Sequence, residues 1–508
     1  MRFTDQRGLS MNNRRNPRRR RIVVGAGAAV ASLATALAFA PPASAAPNAL
    51  FVHGLGVLTV FGDPTGDAIT VSSDPDGAIE VNGGAVAIRG ARATVSNVGT
   101  IVVLGGRGND RIALDETNGP LPSARLFGAA GDDALFGGSS NDRLFGGDGT
   151  DTLSGGAGDD VLSGGNGSDI VTGGVGTDQS FGDAGEDQLV WNPGDGSDLN
   201  EGGDGSDAVV VNGGGVGESF AAAANGSRVR FDRIAPLPFS LDIGTSERLV
   251  VNANGGDDSF SASGDLASLI ALTVDGGTGN DRINGGNGND TLNGGLGDDF
   301  VDGNQGSDTS SLGDGSDTFV WDAGDGSDTV DGDAGQDALV FNGAAGDEKF
   351  DLSANGSRAR LVRDIGHITM DLGGIEQVDT HALGGADTVT VNDLSGTDVT
   401  GVDVDLPGAL DPKAGDGADD HVVVNATDGA DRVQIAGALS DGVTVSGLQA
   451  LVHVFGTDGS SDALAFNARG GNDTVDATGL AAGVVALTVD GGAGTDVLSG
   501  GPGTVLIQ

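Results

Sequence analysis

The 508-residue chain has no cysteine and no tyrosine, and aromatic residues make up only 4% of it. Without cysteine there is no disulfide framework and no thiol chemistry. So few rings argue against a single large aromatic-rich core. Basic residues are scarce too: 26 stand against 73 acidic ones, for a net charge of −47. Nucleic acid is therefore excluded as a partner, because its phosphates would be repelled. The 14 prolines follow no G-X-Y period, which excludes collagen. What the chain has in excess is glycine, 94 residues. Each Gly inside a helix costs about 1 kcal/mol relative to Ala, so the composition points away from helices.

The few positive charges are unevenly placed. Eight lie before residue 22: Arg2, Arg7, Arg14, Arg15 and Arg18 to Arg21. An apolar run, Ile22 to Ala40, follows, and then Ala43-Ser44-Ala45. Basic region, apolar region and A-x-A site together are the layout of a secretory signal peptide, with cleavage near Ala45. The alternative is an uncleaved anchor, but the run is Ala/Gly-rich and weakly apolar for a span. Loss of residues 1–45 removes eight basic residues and one acid, leaving 18 and 72 and a net charge of −54. No later segment is long and apolar enough to span a membrane, so the expected product is secreted, extracellular or cell-surface, and very acidic.

A nine-residue period dominates the rest. From Gly128 seven nonads follow without a gap, among them GGDGTDTLS and GGAGDDVLS. After Trp191-Asn192 come PGDGSDLNE and GGDGSDAVV. A second array starts at Gly276 with GGTGNDRIN and GGNGNDTLN, and is interrupted by Trp321-Asp322. Single copies begin at Gly105 and Gly491. All 18 copies have Asp at the sixth position, and 15 have an apolar eighth residue; Ser180, Asn200 and Ser310 are the exceptions. Glycines at positions 1, 2 and 4 suit a tight turn, and positions 7 to 9 suit a three-residue strand with its middle side chain inward. Two nonads make an 18-residue coil with one strand on each face. One apolar side chain per nonad cannot offset the entropy of nine ordered residues at about 1 kcal/mol or more each. Stacked aspartates repel one another unless a hard cation lies between them. Calcium, with six to eight oxygen ligands, suits such turns better than magnesium. A disordered Gly/Asp-rich linker would share the composition but not the fixed period.

These nonads match GGxGxDxUx, and the chain resembles the RTX, or haemolysin-type, calcium-binding repeat proteins. The resemblance implies an all-β parallel β-roll, or β-solenoid, that folds on binding multiple Ca2+ ions. It also implies that sixth-position aspartates and main-chain carbonyls hold them. In the first array and the copy before it these are Asp110, Asp133, Asp142, Asp151, Asp160, Asp169, Asp178, Asp187, Asp198 and Asp207. In the second array they are Asp281, Asp290, Asp299, Asp308, Asp317, Asp328 and Asp337, and the last copy contributes Asp496. Asp110 and Asp496, in single copies, are expected to lack a partner turn. Many relatives are exported by a C-terminal signal, which the N-terminal one puts in question here. Many also carry an effector domain before the repeats, whereas only short strand-like segments precede them here.

A longer repeat overlies the short one. Trp191 to Asp198 recurs as Trp321 to Asp328, and Asn225-Gly-Ser-Arg as Asn355-Gly-Ser-Arg, both 130 residues on. Gly255-Gly-Asp-Asp258 recurs as Gly384-Gly-Ala-Asp387 and Gly470-Gly-Asn-Asp473. The expected organisation is a β-rich cap over 46–127, a first roll over 128–210, a spacer over 211–275 and a second roll over 276–340. A spacer with a degenerate third unit then spans 341–490, and a last nonad and cap span 491–508. The spacers read as wider solenoid turns continuing the stack, with separate β-sandwich modules as the alternative. Trp191 and Trp321 are expected to cap or kink the roll, a ligand-stacking role being the alternative. The arginine clusters Arg228/Arg230/Arg233 and Arg358/Arg360/Arg363 are expected to face nearby acids on strand surfaces, anion sites being the alternative.

No HExxH, G-x-S-x-G or phosphate-loop pattern occurs, and the five histidines are isolated. The sequence therefore reads as a non-enzymatic, exported calcium-binding protein with a structural, adhesion or surface role. Polysaccharide or protein of the matrix or cell surface would be its partner. The alternative is an extracellular enzyme or toxin accessory, for example polysaccharide-modifying, with acids of raised pKa gathered in a spacer groove.

Overall fold

The computed structural model describes residues 47–407 and 415–508. The expected signal peptide lies outside the described residues.

Within the arrays the chain alternates between two sheets every nine residues. Arg143–Asp148, Val161–Asn166 and Gln179–Gly185 pair in parallel on one sheet. Thr152–Ala157, Ile170–Val175 and Gln188–Trp191 do so on the other. Register partners are 18 residues apart, Leu144 beside Leu162 and Leu153 beside Val171. These side chains are fully buried, while their strand neighbours are exposed or half-buried. The expected parallel β-roll is therefore what the chain forms. Among the described residues the only helical element is a 3-10 turn at Ile365–His367.

The strands are longer than the three residues expected. Thr152–Ala157 carries on through the glycines that open the next nonad, and Gly156 pairs with Gly174. Position 4 is glycine in every nonad but the one with Ser140, and Gly149 shows why: it has φ +140°, and a Cβ there would overlap the carbonyl oxygen of Gly131.

The same two ladders run on through the spacers. One sheet has 24 strands; the pairings of the other, with 21, run from Ile79–Val81 to Val505–Ile507. Each spacer inserts a three-stranded antiparallel meander as extra rungs. Ser219–Asn225, Arg228–Ala235 and Phe239–Gly244 join the 24-stranded sheet between Leu199–Gly205 and Ser259–Ser263. Lys349–Asn355, Arg358–Arg363 and Ile368–Gly373 do the same in the 21-stranded sheet. A third meander, Arg432–Ala438, Gly442–Ser446 and Leu451–Phe455, returns to the first sheet.

The two-residue insertions leave the register intact. Asn192 to Asp195 bulge outward in a turn, and pairing resumes at a spacing of 20, Gly185 beside Gly205. Trp191 and Trp321 do not cap the roll. Their rings are 2% and 0% exposed, and each Nε1 donates to a backbone carbonyl, of Gly196 and Gly326. Such rings cannot stack on an external ligand. The apolar interior forms two bodies, one ending at Val171 and one starting at Leu189. Between them Ser180 takes an inward position and pairs with Asn200.

Candidate metal centres

Stacking the turns brings sixth-position aspartates one above another. Asp151 Oδ1 accepts from the backbone N–H of Asp133 at 2.7 Å, and Asp169 Oδ1 from that of Asp151 at 2.8 Å. Asp160 and Asp178 do the same on the other edge, at 2.6 and 2.7 Å. One carboxylate oxygen thus ties each turn to the one before. The other accepts no hydrogen bond and is sealed from solvent. This holds for Oδ2 of Asp110, Asp133, Asp151, Asp160, Asp169, Asp178, Asp187 and Asp207. It holds equally for Asp281, Asp290, Asp299, Asp308, Asp317 and Asp337. A buried carboxylate oxygen without a partner is costly, and such groups are normally paired or on a metal.

The unpartnered oxygen is not alone. A Cβ placed on Gly182 would lie 2.5 Å from Asp187 Oδ2 and 2.6 Å from the carbonyl oxygen of Gly202. On Gly285 it would lie 2.8 Å from Asp290 Oδ2 and 2.9 Å from the Gly303 carbonyl oxygen. Carboxylate and carbonyl oxygens of adjoining turns therefore converge where glycine leaves room. No three side chains of His, Cys, Asp and Glu gather on one point among the described residues. A cation here draws on carbonyls as much as carboxylates, which is the oxygen-rich chemistry that calcium favours.

The electrostatics agree. Burial pushes the carboxyls up, to about 6 at Asp151, about 7 at Asp160 and about 8 at Asp308. Backbone N–H donors oppose the shift, and aspartates of adjoining turns add to it. A divalent cation reverses that balance.

Four of the eighteen aspartates differ. Asp142 has both oxygens satisfied, by the N–H groups of Ala124 and Gly138. Asp198 and Asp496 are half-buried, and Asp328 is buried without an orphaned oxygen. Asp110 and Asp496, in single copies, do have partner turns. Asp110 Oδ1 accepts from Asp67, 43 residues earlier, and its own N–H donates to Asp133. Asp496 Oδ1 accepts from Asp473 N–H at 3.0 Å. Intervening chain loops out, so turns distant in sequence become neighbours.

The ladder also holds acids that the nonad pattern passes over. Asp258 and Asp473 have the same tie to the previous turn and the same orphaned Oδ2. Asp387 and Asp420 extend another stretch of it. The recurring Gly-Gly-x-Asp of the long repeat was the signal for Asp258, Asp387 and Asp473, although Ala253, Ala382 and Ala468 stand where a nonad has its first glycine; Asp420 follows Gly-Ala-Asp and lacks that signal. In four turns the ladder residue is glutamate: Glu247 and Glu376 accept from the N–H groups of Asp207 and Asp337, and Glu218 and Glu348 are each paired with an arginine. Glu218 pairs with Arg233 at 2.7 Å and Glu348 with Arg363, all four side chains being at most 7% exposed. Arg228 bridges Glu201 and Asp242, and Arg358 bridges Asp331 and Asp371. The arginines do face acids, as the sequence suggests, but Arg233 and Arg363 do so in the interior.

A family model of the RTX calcium-binding nonapeptide repeat (four copies) matches residues 125–153, 154–189, 275–310, 289–319 and 488–506. No curated protein is matched along the chain. The matched stretches are the stacked turns just described: the chain carries RTX calcium-binding nonapeptide repeats, and its cofactor is calcium, bound as several ions.

Proposed function

We propose that this is an exported, non-enzymatic β-solenoid that calcium folds outside the cell, and that the solenoid serves a structural or adhesive role at a surface or in a matrix. The carrying observation is the row of buried carboxylate oxygens without hydrogen-bond partners, repeated turn after turn in both arrays. The fourteen nonad aspartates with such an oxygen are the ligands we assign, together with carbonyls of adjoining turns. Asp142, Asp198, Asp328 and Asp496 stand at equivalent places in the ladder and would contribute more weakly. Calcium supplies the positive charge that lets neighbouring carboxylates stack.

The spacers support a role without catalysis. Their acids of raised pKa, Asp258, Asp387, Asp420 and Asp462, belong to the ladder of turns and not to a separate groove. Export fits the basic, apolar and A-x-A order at the N-terminus. It also fits weak calcium sites, since extracellular modules bind near about 10⁻⁴ to 10⁻³ M. A chain at −54 repels itself where calcium is scarce and condenses where it is plentiful.

The test is far-UV circular dichroism of the calcium-stripped chain, titrated with calcium and separately with magnesium. A coil-to-β transition with calcium alone is expected. A chain that is fully β in excess chelator would contradict the reading.

A further inference from the structure

Two turns of the ladder are neutralised from within. At 213–218 and 343–348 the sixth-position residue is Glu218 or Glu348, at the head of the ladder stretch that continues through Asp258 or Asp387. Glu218 Oε2 accepts from Gly214 N–H at 2.5 Å and its Oε1 from Arg233 at 2.7 Å. Glu348 Oε2 accepts from Ala344 N–H at 2.7 Å, and its Oε1 takes both Nε and Nη2 of Arg363. The carboxylates occupy the place of the nonad aspartates: a Cβ on Gly213 would meet Glu218 Oε2 at 2.6 Å. Unlike those aspartates, they leave no oxygen unpartnered.

Each guanidinium comes from the second strand of the adjacent meander. Arg233 also donates to the Leu237 carbonyl, and Arg363 to that of Ile365. Each lies near a buried indole ring, 5.0 Å from Trp191 and 5.3 Å from Trp321. One charge thus ties a turn, a meander and a tryptophan together. Chemically it does what a cation does in the nonad turns, and it cannot diffuse away.

We propose that Arg233 and Arg363 are built-in replacements for calcium: the turns 213–218 and 343–348 take no ion, and the meanders they anchor stay folded when the nonad arrays do not. The chain then has two calcium-independent segments beside its arrays, from which the rolls grow as calcium rises. This rests on the reading that the nonad turns hold calcium.

Hydrogen exchange of the full chain, read by mass spectrometry with and without calcium, tests it. In excess chelator, amides of 219–244 and 349–373 are expected to remain protected while those of 143–175 and 291–315 exchange freely. R233Q should abolish protection of 219–244 in chelator, and saturating calcium should restore it by neutralising Glu218 instead. R233K keeps the charge and should keep the protection; R363Q and R363K should repeat the pattern at 349–373. Equal exchange of meanders and arrays in chelator would overturn the proposal. So would an R233Q chain that calcium cannot rescue, because the arginine would then matter for packing alone. Arrays protected in chelator would instead overturn the calcium reading itself, which keeps the two failures distinct.

Discussion

The two long units, around Trp191 and around Trp321, are close copies in sequence but are built on opposite sheets. Trp191 lies in the 21-stranded sheet and its meander in the 24-stranded one; for Trp321 the two are exchanged. A repeat of 130 residues therefore spans an odd number of half-turns. The interior beside the rings differs as well. Trp191 has Val211 as its register neighbour and stacks on Phe239, with centroids 3.8 Å apart. Trp321 stacks on its own register neighbour, Phe341, at 4.0 Å, and the meander residue in place of Phe239 is Ile368. Aromatic and aliphatic side chains have changed places while the pair has kept its character. Each half-turn is thus folded by its own neighbours, and neither sheet is intrinsically the one that receives a meander.

Loss of calcium should have the largest effect on both units, and pH tells how. Buried aspartates without calcium bind protons more tightly in the fold than in the unfolded chain, where the value is near 3.8. Stability from protonation is therefore complete below that value and is lost as pH rises through the folded one. In the first array the folded values are mostly about 6, as at Asp151 and Asp169; in the second they reach about 8 at Asp308. Calcium-stripped protein should hold its β structure in acid and lose both arrays as pH rises through about 6–7, with Asp308, at about 8, the last to give up its proton. Hydrogen exchange on ion-depleted protein at stepped pH reads this array by array. Calcium-free arrays that gain protection with rising pH would contradict it.

Next in size are W191A and W321A in saturating calcium. Each ring is buried, so each truncation should cost about 3–5 kcal/mol. The cost should appear in local opening of the flanking strands, since a stack contacts only its neighbours and need not melt as one body. Equal costs would show that the two sheets are equivalent hosts. A smaller third effect tests the exchange of side chains. V211F and F239I should each destabilise the first unit by about 1–3 kcal/mol. Together they recreate the second unit's pairing of Phe341 and Ile368, and the double variant should cost clearly less than the sum. Simple additivity would mean that the two positions do not share a space.

The nonads were the most legible part of the chain. Their period gave the alternating faces, the inward Leu144 and Leu153 and the stacked aspartates, because all of these depend on a fixed spacing, nine residues from strand to strand and 18 from turn to turn. Strand length was less legible: glycines that read as turn also pair across the sheet, as Gly156 does with Gly174. Partners at variable distance were not legible at all. Asp110 meets Asp67 across 43 residues, Glu218 meets Asp258 across 40, and Glu218 meets Arg233 across 15. No local pattern encodes those distances, which are set by how much chain each meander absorbs. Trp191 was misplaced for a related reason. An insertion reads as surface, but here the bulge begins after the tryptophan, at Asn192, and the ring stays inside.

The smallest effect concerns Arg230 and its counterpart Arg360. Arg230 bridges Asp232 at 2.8 Å, whereas the second unit has Val362 in place of that aspartate. Both arginines are exposed, Arg230 with 58% of its side chain in water. Solvent screening leaves such a bridge worth about 0–1 kcal/mol, and the entropy of holding two side chains takes part of that. R230A and R360A should therefore each shift local stability by no more than about 0.5 kcal/mol, although only one of them breaks an ion pair. Hydrogen exchange of the two meanders in saturating calcium resolves the difference. A cost above about 1 kcal/mol for R230A alone would mean that this exposed pair acts as a strong one. The long units would then differ on their surfaces as well as beside their tryptophans.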